Sequence, residues 1–154
     1  FGQRRFDEFL AASLLVPRLP AGTFVPAAAA RGVAGAMLVQ PRVTLANGDI
    51  CALDELLGTG FAILGVGADP SHELANDVRA AWETIGARFV HVLASGPLTS
   101  ADGAIDHSGR LHAWLHGSTA RFLAVRPDKF VVAQFTATDA AKITNEAIAL
   151  LTPQ

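Results

Sequence analysis

The segment from Phe61 to Gly67 is the feature that most constrains the fold, because every one of its residues is apolar. A strand with one face in water alternates apolar and polar residues, whereas a strand covered on both faces is a continuous apolar run. The run is also far shorter than the roughly 20 residues that a membrane-spanning helix needs. The sequence therefore predicts a central strand with helices packed on both sides of its sheet.

The residues after this strand give the order of the other elements. Asp69 and Pro70 are typical of a helix start, and apolar residues at helical spacing predict a helix that ends at Gly86. Beyond it we expect a strand at 88–93, a loop at 94–106, a helix at 108–116, strands at 121–125 and 130–135, and a helix at 138–151. One βαβ unit followed by one ββα unit predicts an α/β fold of the thioredoxin-like kind, a four-stranded mixed sheet with helices on both faces.

An additional β-hairpin is expected before the central strand, at 40–53. There Asn47 and Gly48 predict a type I′ turn with two positive φ angles, and Asp54 is expected to cap a short turn of helix.

The N-terminal part has a different composition. Residues 1–15 show helical spacing, and 16–36, with three prolines and three glycines, predict an extended linker or a strap on a surface. We therefore expect residues 1–36 to be the tail of an upstream domain and residues 37–154 to be the thioredoxin-like domain. Because the chain opens inside a helical pattern without an initiator Met, we expect a piece of a longer polypeptide.

Composition argues against several classes of protein. Half of the residues are hydrophobic and the mean hydropathy is +0.35, which indicates a large buried surface. The net charge is −2, the basic residues are scattered and there is no Tyr, so we expect no nucleic-acid partner. The sequence shows neither a secretory pattern nor a long apolar segment, so we expect no membrane partner and a cytoplasmic location.

The loop after the central strand, residues 67–72, is where a thioredoxin-like fold carries its reactive group at a helix start. It contains no cysteine, which excludes thiol-disulfide exchange at this position. Asp69, Ser71 and His72 resemble an acid/base trio in composition. Consecutive residues at a helix start point in different directions, so we expect them to cap the helix.

The remaining reactive residues also have structural explanations. Cys51, the single cysteine, falls on an edge strand without a neighbouring cation, which favours a small buried hydrophobic residue over a reactive thiol. His91 lies in a buried strand and is expected to be a core histidine. No GxGxxG or P-loop pattern opens a helix, so no nucleotide or flavin site is expected.

Three histidines raise the question of a metal site. His112 and His116 have the i, i+4 spacing that places two imidazoles on one helical face, and His107 is near in sequence. Asp106 is the one nearby carboxylate, and no HExxH pattern is present. We therefore expect exposed polar residues of a helix and no metal ligands.

Several segments together resemble the C-terminal domain of the class A flavoprotein aromatic hydroxylases, closest to the 3-(3-hydroxyphenyl)propionate hydroxylase type. The matching segments, in chain order, are Ala34-Gly35, Gln40-Pro41-Arg42-Val43, the stretch from Leu53 to Leu64, the stretch from Asp106 to Leu115, and Val125-Arg126-Pro127-Asp128. The resemblance implies a thioredoxin-like domain without redox cysteines, placed after a region that binds FAD and uses NAD(P)H.

The resemblance implies a non-catalytic accessory domain, with no catalytic, cofactor-binding or metal-binding residues of its own. Its partners would be the upstream flavin-binding domain of the same polypeptide and, in a homodimer, a second copy. Two alternatives stay open. One is an independent thiol redox protein that uses Cys51, and the other is a free-standing domain that binds a small apolar ligand.

Overall fold

The structure is a computed structural model that describes residues 19–26, 32–98 and 100–152. The strands in these ranges are β1 (Arg42–Leu45), β2 (Ile50–Ala52), β3 (Ala62–Val66), β4 (Arg88–Leu93), β5 (Gly103–Ile105), β6 (Phe122–Val125) and β7 (Val131–Phe135). The helices are α1 (Leu53–Leu57), α2 (Pro70–Glu73), α3 (Asn76–Glu83), α4 (Arg110–Trp114) and α5 (Ala140–Leu151). Among these described residues, no helix combines the length and apolarity needed to cross a membrane.

The described strands form one mixed sheet in the order β2-β1-β5-β4-β3-β6-β7. Strand β3 is parallel to β4 and antiparallel to β6, and β6 is antiparallel to β7, which gives the four predicted central strands. The predicted loop at 94–106 is wrong in part, because β5 lies within it and pairs with both β1 and β4. Strand β5 thereby joins the N-terminal hairpin to the central sheet. At three residues it is too short to show a periodic pattern.

Helices cover both faces of the sheet, as predicted. Leu64 of β3 belongs to the core cluster that α1 and α4 cover, and Ile63 belongs to the opposite cluster, which α3 and α5 cover. Every residue of β3 is buried, so the central strand is confirmed. On the α3–α5 side, the fully buried Trp82 donates its indole N–H to Thr144 Oγ1 at 2.9 Å, which links these two helices.

The hairpin of β1 and β2 is present, but its turn differs from the prediction. Leu45 N donates to Asp49 O at 2.8 Å, and Gly48 N donates to Leu45 O at 2.9 Å. Gly48 has a φ of 91°, whereas Asn47 is not among the described residues with positive φ. The loop is therefore a three-residue connection with one left-handed residue, and the type I′ prediction is wrong. The β6–β7 loop has the same pattern, with Lys129 at a φ of 72°.

The helix predicted after β3 is divided into α2 and α3. Leu74 and Ala75 adopt extended conformations between them, with ψ angles of 142° and 153°. Leu74 is 3% exposed, so the break turns an apolar side chain into the core.

Asp54 does not cap α1, contrary to the prediction. The helix already begins at Leu53, so Asp54 lies within its first turn. The N-cap residue, Ala52, makes no side-chain capping hydrogen bond. The backbone N–H of Asp54 donates instead to Gln40 Oε1 at 2.9 Å. The cap is thus supplied by a residue 14 positions away, which local sequence cannot reveal.

The described parts of the N-terminal segment form a strap along the outer edge of β7. Val25 N donates to Val132 O at 2.8 Å, and Gly35 N donates to Val131 O at 2.7 Å. These hydrogen bonds pair an edge strand that would otherwise expose its backbone. The helix predicted for residues 1–15 lies outside the described residues.

Candidate functional site

The loop from β3 to α2 occupies the position at which the sequence predicts a helix start without a thiol. Asp69 Oδ1 accepts a hydrogen bond from Ser71 N at 2.9 Å, and Glu73 Oε2 accepts one from Asp69 N at 3.0 Å. These reciprocal bonds satisfy backbone N–H groups that a helix start leaves free. His72 is exposed. Asp69 therefore has the predicted capping role, whereas Ser71 contributes only its backbone N–H and the second capping side chain is that of Glu73.

Gly65 lets this loop fold back against the sheet. A Cβ at position 65 would lie 1.9 Å from Ala68 O and 2.8 Å from Pro70 Cδ, both far inside van der Waals contact. Only a glycine leaves room for such close approach of backbone to backbone. The Gly-Val-Gly segment thus serves packing, and Gly65 brings the start of α2 directly over β3.

His91 is the buried residue beneath the loop. It is 3% exposed, and its Nδ1 lies 3.7 Å from Asp69 Oδ2, beyond hydrogen-bond distance. In the sheet it stands between Gly65 of β3 and Gly103 of β5. A Cβ at Gly103 would lie 2.5 Å from His91 Nε2, so the imidazole fills the space that this glycine leaves. The prediction of a core histidine agrees with this burial, whereas its proximity to Asp69 was not predicted.

Two further basic side chains, those of His112 and Arg121, lie against the loop at Gly67. Arg121 Nη1 donates to Val66 O at 3.1 Å. The Nδ1 atom of His112 is buried and has no hydrogen-bond partner in the described part of the chain. Sequence analysis missed Arg121 because its contact depends on the pairing of β6 with β3.

The histidines of the α4 region do not share a helical face. Helix α4 ends at Trp114, and His116 follows in the left-handed region with a φ of 53°. The i, i+4 geometry expected for His112 and His116 is therefore wrong. Within residues 19–26, 32–98 and 100–152, no group of three potential metal ligands comes together.

Asp106 anchors the start of α4, a role that sequence analysis missed. Its Oδ2 accepts from Leu111 N at 2.9 Å, and its Oδ1 accepts from Ser108 N at 3.1 Å and from the Ser108 hydroxyl at 2.5 Å. Burial raises the pKa of this carboxyl, but the hydrogen bonds from Leu111 and Ser108 outweigh burial and hold the pKa below its ordinary 3.8. The spacing of Asp106 and Ser108 ahead of an apolar residue is the signal that predicts such an anchor.

Cys51 lies on the edge strand β2, which three other strands separate from β3 in the sheet order. The residue is half-buried. Burial raises the pKa of the thiol, and the nearby Glu55 carboxylate raises it further. A thiol with a raised pKa is a poor nucleophile at neutral pH, which argues against the redox alternative.

The family comparison decides what kind of domain this is. The family model described as the HcaD C-terminal domain matches residues 35–150. This chain belongs to the HcaD C-terminal domain family. The match begins inside the strap and includes every described helix and strand through most of α5.

Relatives of this HcaD C-terminal domain include two proteins named 3-(3-hydroxy-phenyl)propionate/3-hydroxycinnamic acid hydroxylase. The protein from Comamonas testosteroni is 34% identical over 130 residues, which cover 80% of this chain and 22% of the relative. The protein from Escherichia coli O139:H28 (strain E24377A / ETEC) is 33% identical over 125 residues, which cover 77% of this chain and 23% of the relative. The chain thus spans less than a quarter of the length of these relatives. The resemblance seen in the sequence is confirmed.

Solved structures confirm the fold of the HcaD C-terminal domain. The flavin-dependent monooxygenase PieE, in complex with FAD and substrate, matches with a TM-score of 0.66 at 18% identity, covering 89% of this chain and 25% of that chain. A thioredoxin-like protein from Bacteroides caccae ATCC 43185 matches with a TM-score of 0.54 at 11% identity, and the match covers 75% of this chain and 49% of that protein. At these identities the likeness concerns the fold, and the thioredoxin-like α/β class is established.

Proposed function

We propose that this chain is the C-terminal accessory domain of an FAD- and NAD(P)H-dependent aromatic hydroxylase that acts on 3-(3-hydroxyphenyl)propionate or a related phenol. The observation that carries the proposal is the family match over residues 35–150, together with relatives that bear a hydroxylase name and extend far beyond the matched part. In this proposal the remainder of the polypeptide performs the reaction, and residues 37–154 support it.

The residues around α2 do not fit the pyrophosphate of FAD. Such a group binds where free backbone N–H groups and the positive end of a helix face an anion. Here the carboxylates of Asp69 and Glu73 already accept from the N–H groups at the start of α2. Their negative charges repel a phosphate, so we assign FAD and NAD(P)H to the upstream region.

The same proposal accounts for the organisation of the chain. Residues 1–36 would connect the domain to the flavin-binding region, and the strap that bonds to β7 would fix the direction of this connection. A cytoplasmic location and assembly as a homodimer belong to the proposal as well. The high apolar content is compatible with both kinds of partner interface.

A chimaera tests the proposal. Residues 35–150 would replace the corresponding C-terminal segment of the Comamonas testosteroni relative, with the truncated relative as baseline. We expect the truncation to lower substrate-dependent NAD(P)H oxidation and the chimaera to restore it, while the isolated 154-residue chain shows none. Stoichiometric FAD binding by the isolated chain would refute an accessory role. A chimaera no more active than the truncated relative would refute membership in this class of enzyme.

A further inference from the structure

Two open cavities lie side by side along α1. Their volumes are about 510 and 540 Å³, and they share Glu55 as a lining residue. We call the combined surface the α1 groove. It extends from the β1–β2 hairpin along α1 to the β6–β7 loop, and its lining includes Asp49, Ile50, Asp54, Glu55, Arg88 and Lys129.

The α1 groove is built on a fixed frame. Leu53 and Leu57 of α1 are fully buried, and two cations bind carbonyl oxygens at the end of the helix. Arg88 Nη1 donates to Leu56 O at 2.9 Å, and Lys129 Nζ donates to Gly58 O. Cations at a helix C-terminus are stabilising, and here they also direct their N–H groups toward the backbone.

The lining of the α1 groove combines apolar side chains with three carboxylates and the two cations named above, so its carboxylates outnumber its cations. Ile50 is 60% exposed, which makes it the more exposed of the two large hydrophobic residues on the surface of the described chain. Asp54 and Glu55 are exposed, and their carboxylates make no hydrogen bond or ion pair with any described residue. Burial raises the pKa of the Cys51 thiol, and of the surrounding charges Glu55, Asp49 and Asp54 raise it further whereas Arg42 lowers it.

Charge argues against a second copy at this surface. The backbone of Cys51 faces Val43 in β1, so the N–H and C=O groups of Ile50 and Ala52 point outward from the edge of the sheet. Pairing of two such edges about a two-fold axis would bring the carboxylates of both copies together, which is unfavourable. An occupant with basic residues is favoured instead.

The path of the chain indicates where such an occupant comes from. Leu19 N donates to Gly35 O at 2.7 Å. Two residues after Gly35, Met37 forms an isolated antiparallel β-bridge with Phe130, beside the β6–β7 loop. Leu38 N then donates to Lys129 O at 2.8 Å, so the strap reaches a residue that lines the α1 groove. Leu19, the first described residue, is therefore held at the same end of the sheet as the α1 groove.

We propose that the α1 groove docks an apolar segment flanked by Arg or Lys, belonging to the flavin-binding region of the same polypeptide. This inference rests on the proposed function, which supplies a region that accounts for over three quarters of the length of the relatives. Ile50 would be the apolar anchor, and Asp54 and Glu55 would pair with the basic side chains. Apolar anchors surrounded by charges that select the partner are typical of specific interfaces.

Hydrogen exchange measured on the chimaera tests this docking. We expect the amides of residues 50–59 to exchange at least tenfold more slowly in the chimaera than in the isolated chain. Ile50→Asp with Glu55→Lys should remove this protection. The matched control is Leu150→Asp with Glu146→Lys, which changes an exposed apolar and an exposed acidic residue on α5 and should leave the protection intact. Circular dichroism of each isolated variant verifies folding.

The outcomes separate the two proposals. A wild-type chimaera without hydroxylase activity refutes the proposed function. An active chimaera whose groove amides exchange as fast as in the isolated chain refutes the docking alone. Protection in the isolated chain that increases with its concentration would show a second copy in the groove and would also overturn the inference.

Discussion

Substitution of Gly65 by Ala tests whether the loop over β3 is held by close backbone packing. The new Cβ would lie 1.9 Å from Ala68 O, about 1.5 Å inside the ordinary contact limit of 3.4 Å. Because the neighbour is backbone, the loop itself must move. Overpacking costs about 1–3 kcal/mol, and disturbance of the Asp69 cap costs about 1 kcal/mol more. The unfolded Ala variant has a lower conformational entropy, which offsets about 0.4–1 kcal/mol of this loss of stability.

The expected net loss for Gly65→Ala is therefore about 1–3.6 kcal/mol of unfolding free energy, which lowers Tm by about 2–14 °C in a domain of this size. Urea unfolding followed by circular dichroism measures it, and an unchanged m value verifies that the unfolded state is comparable. Gly60→Ala is the control, since its Cβ meets only Gly86 O, at 3.9 Å. If the two variants differ by less than about 1 kcal/mol, the argument that Gly65 is required for loop packing is wrong.

Three further changes have defined outcomes. Thr144→Val leaves the buried indole N–H of Trp82 without an acceptor, and we expect a loss of about 1–2 kcal/mol in urea unfolding, whereas a neutral result would show that the bond is not formed. Asp106 has a lowered pKa in the folded state, so its contribution to stability is present above pH 3.8 and is lost as the pH falls below that value. Asp106→Asn should reduce the decrease in stability between pH 5 and pH 3, and equal slopes for both proteins would contradict this. Burial and Glu55 raise the pKa of Cys51, so its alkylation should require a higher pH than that of a free cysteine, and Glu55→Gln should lower the required pH.

Local patterns in the sequence were sufficient where the determining residues are neighbours. The apolar run at 61–67 predicted the buried central strand, because alternation is lost when both faces are covered. Asp69 and Pro70 predicted the start of α2, since a cap and its N–H partner lie two residues apart. The segments that resemble aromatic hydroxylase C-terminal domains predicted the family, which the match over residues 35–150 confirms.

Features that depend on residues distant in sequence were missed. Strand β5 is recognised only by its pairing with β1 and β4, and the actual cap of α1 comes from Gln40. The proximity of His91 to Asp69 requires the glycines at 65 and 103 in neighbouring strands.

The sequence by itself determined the fold class, the family and the lack of a thiol in the loop at 67–72, because composition, periodicity and local capping are properties of short segments. Only the tertiary structure decided which distant residues meet. The α1 groove joins residues 45–59 to Arg88 and to the loop that contains Pro127 and Lys129. The physical reason is that strand pairing and helix packing place these segments together, and no local pattern encodes the distance between side chains on different strands.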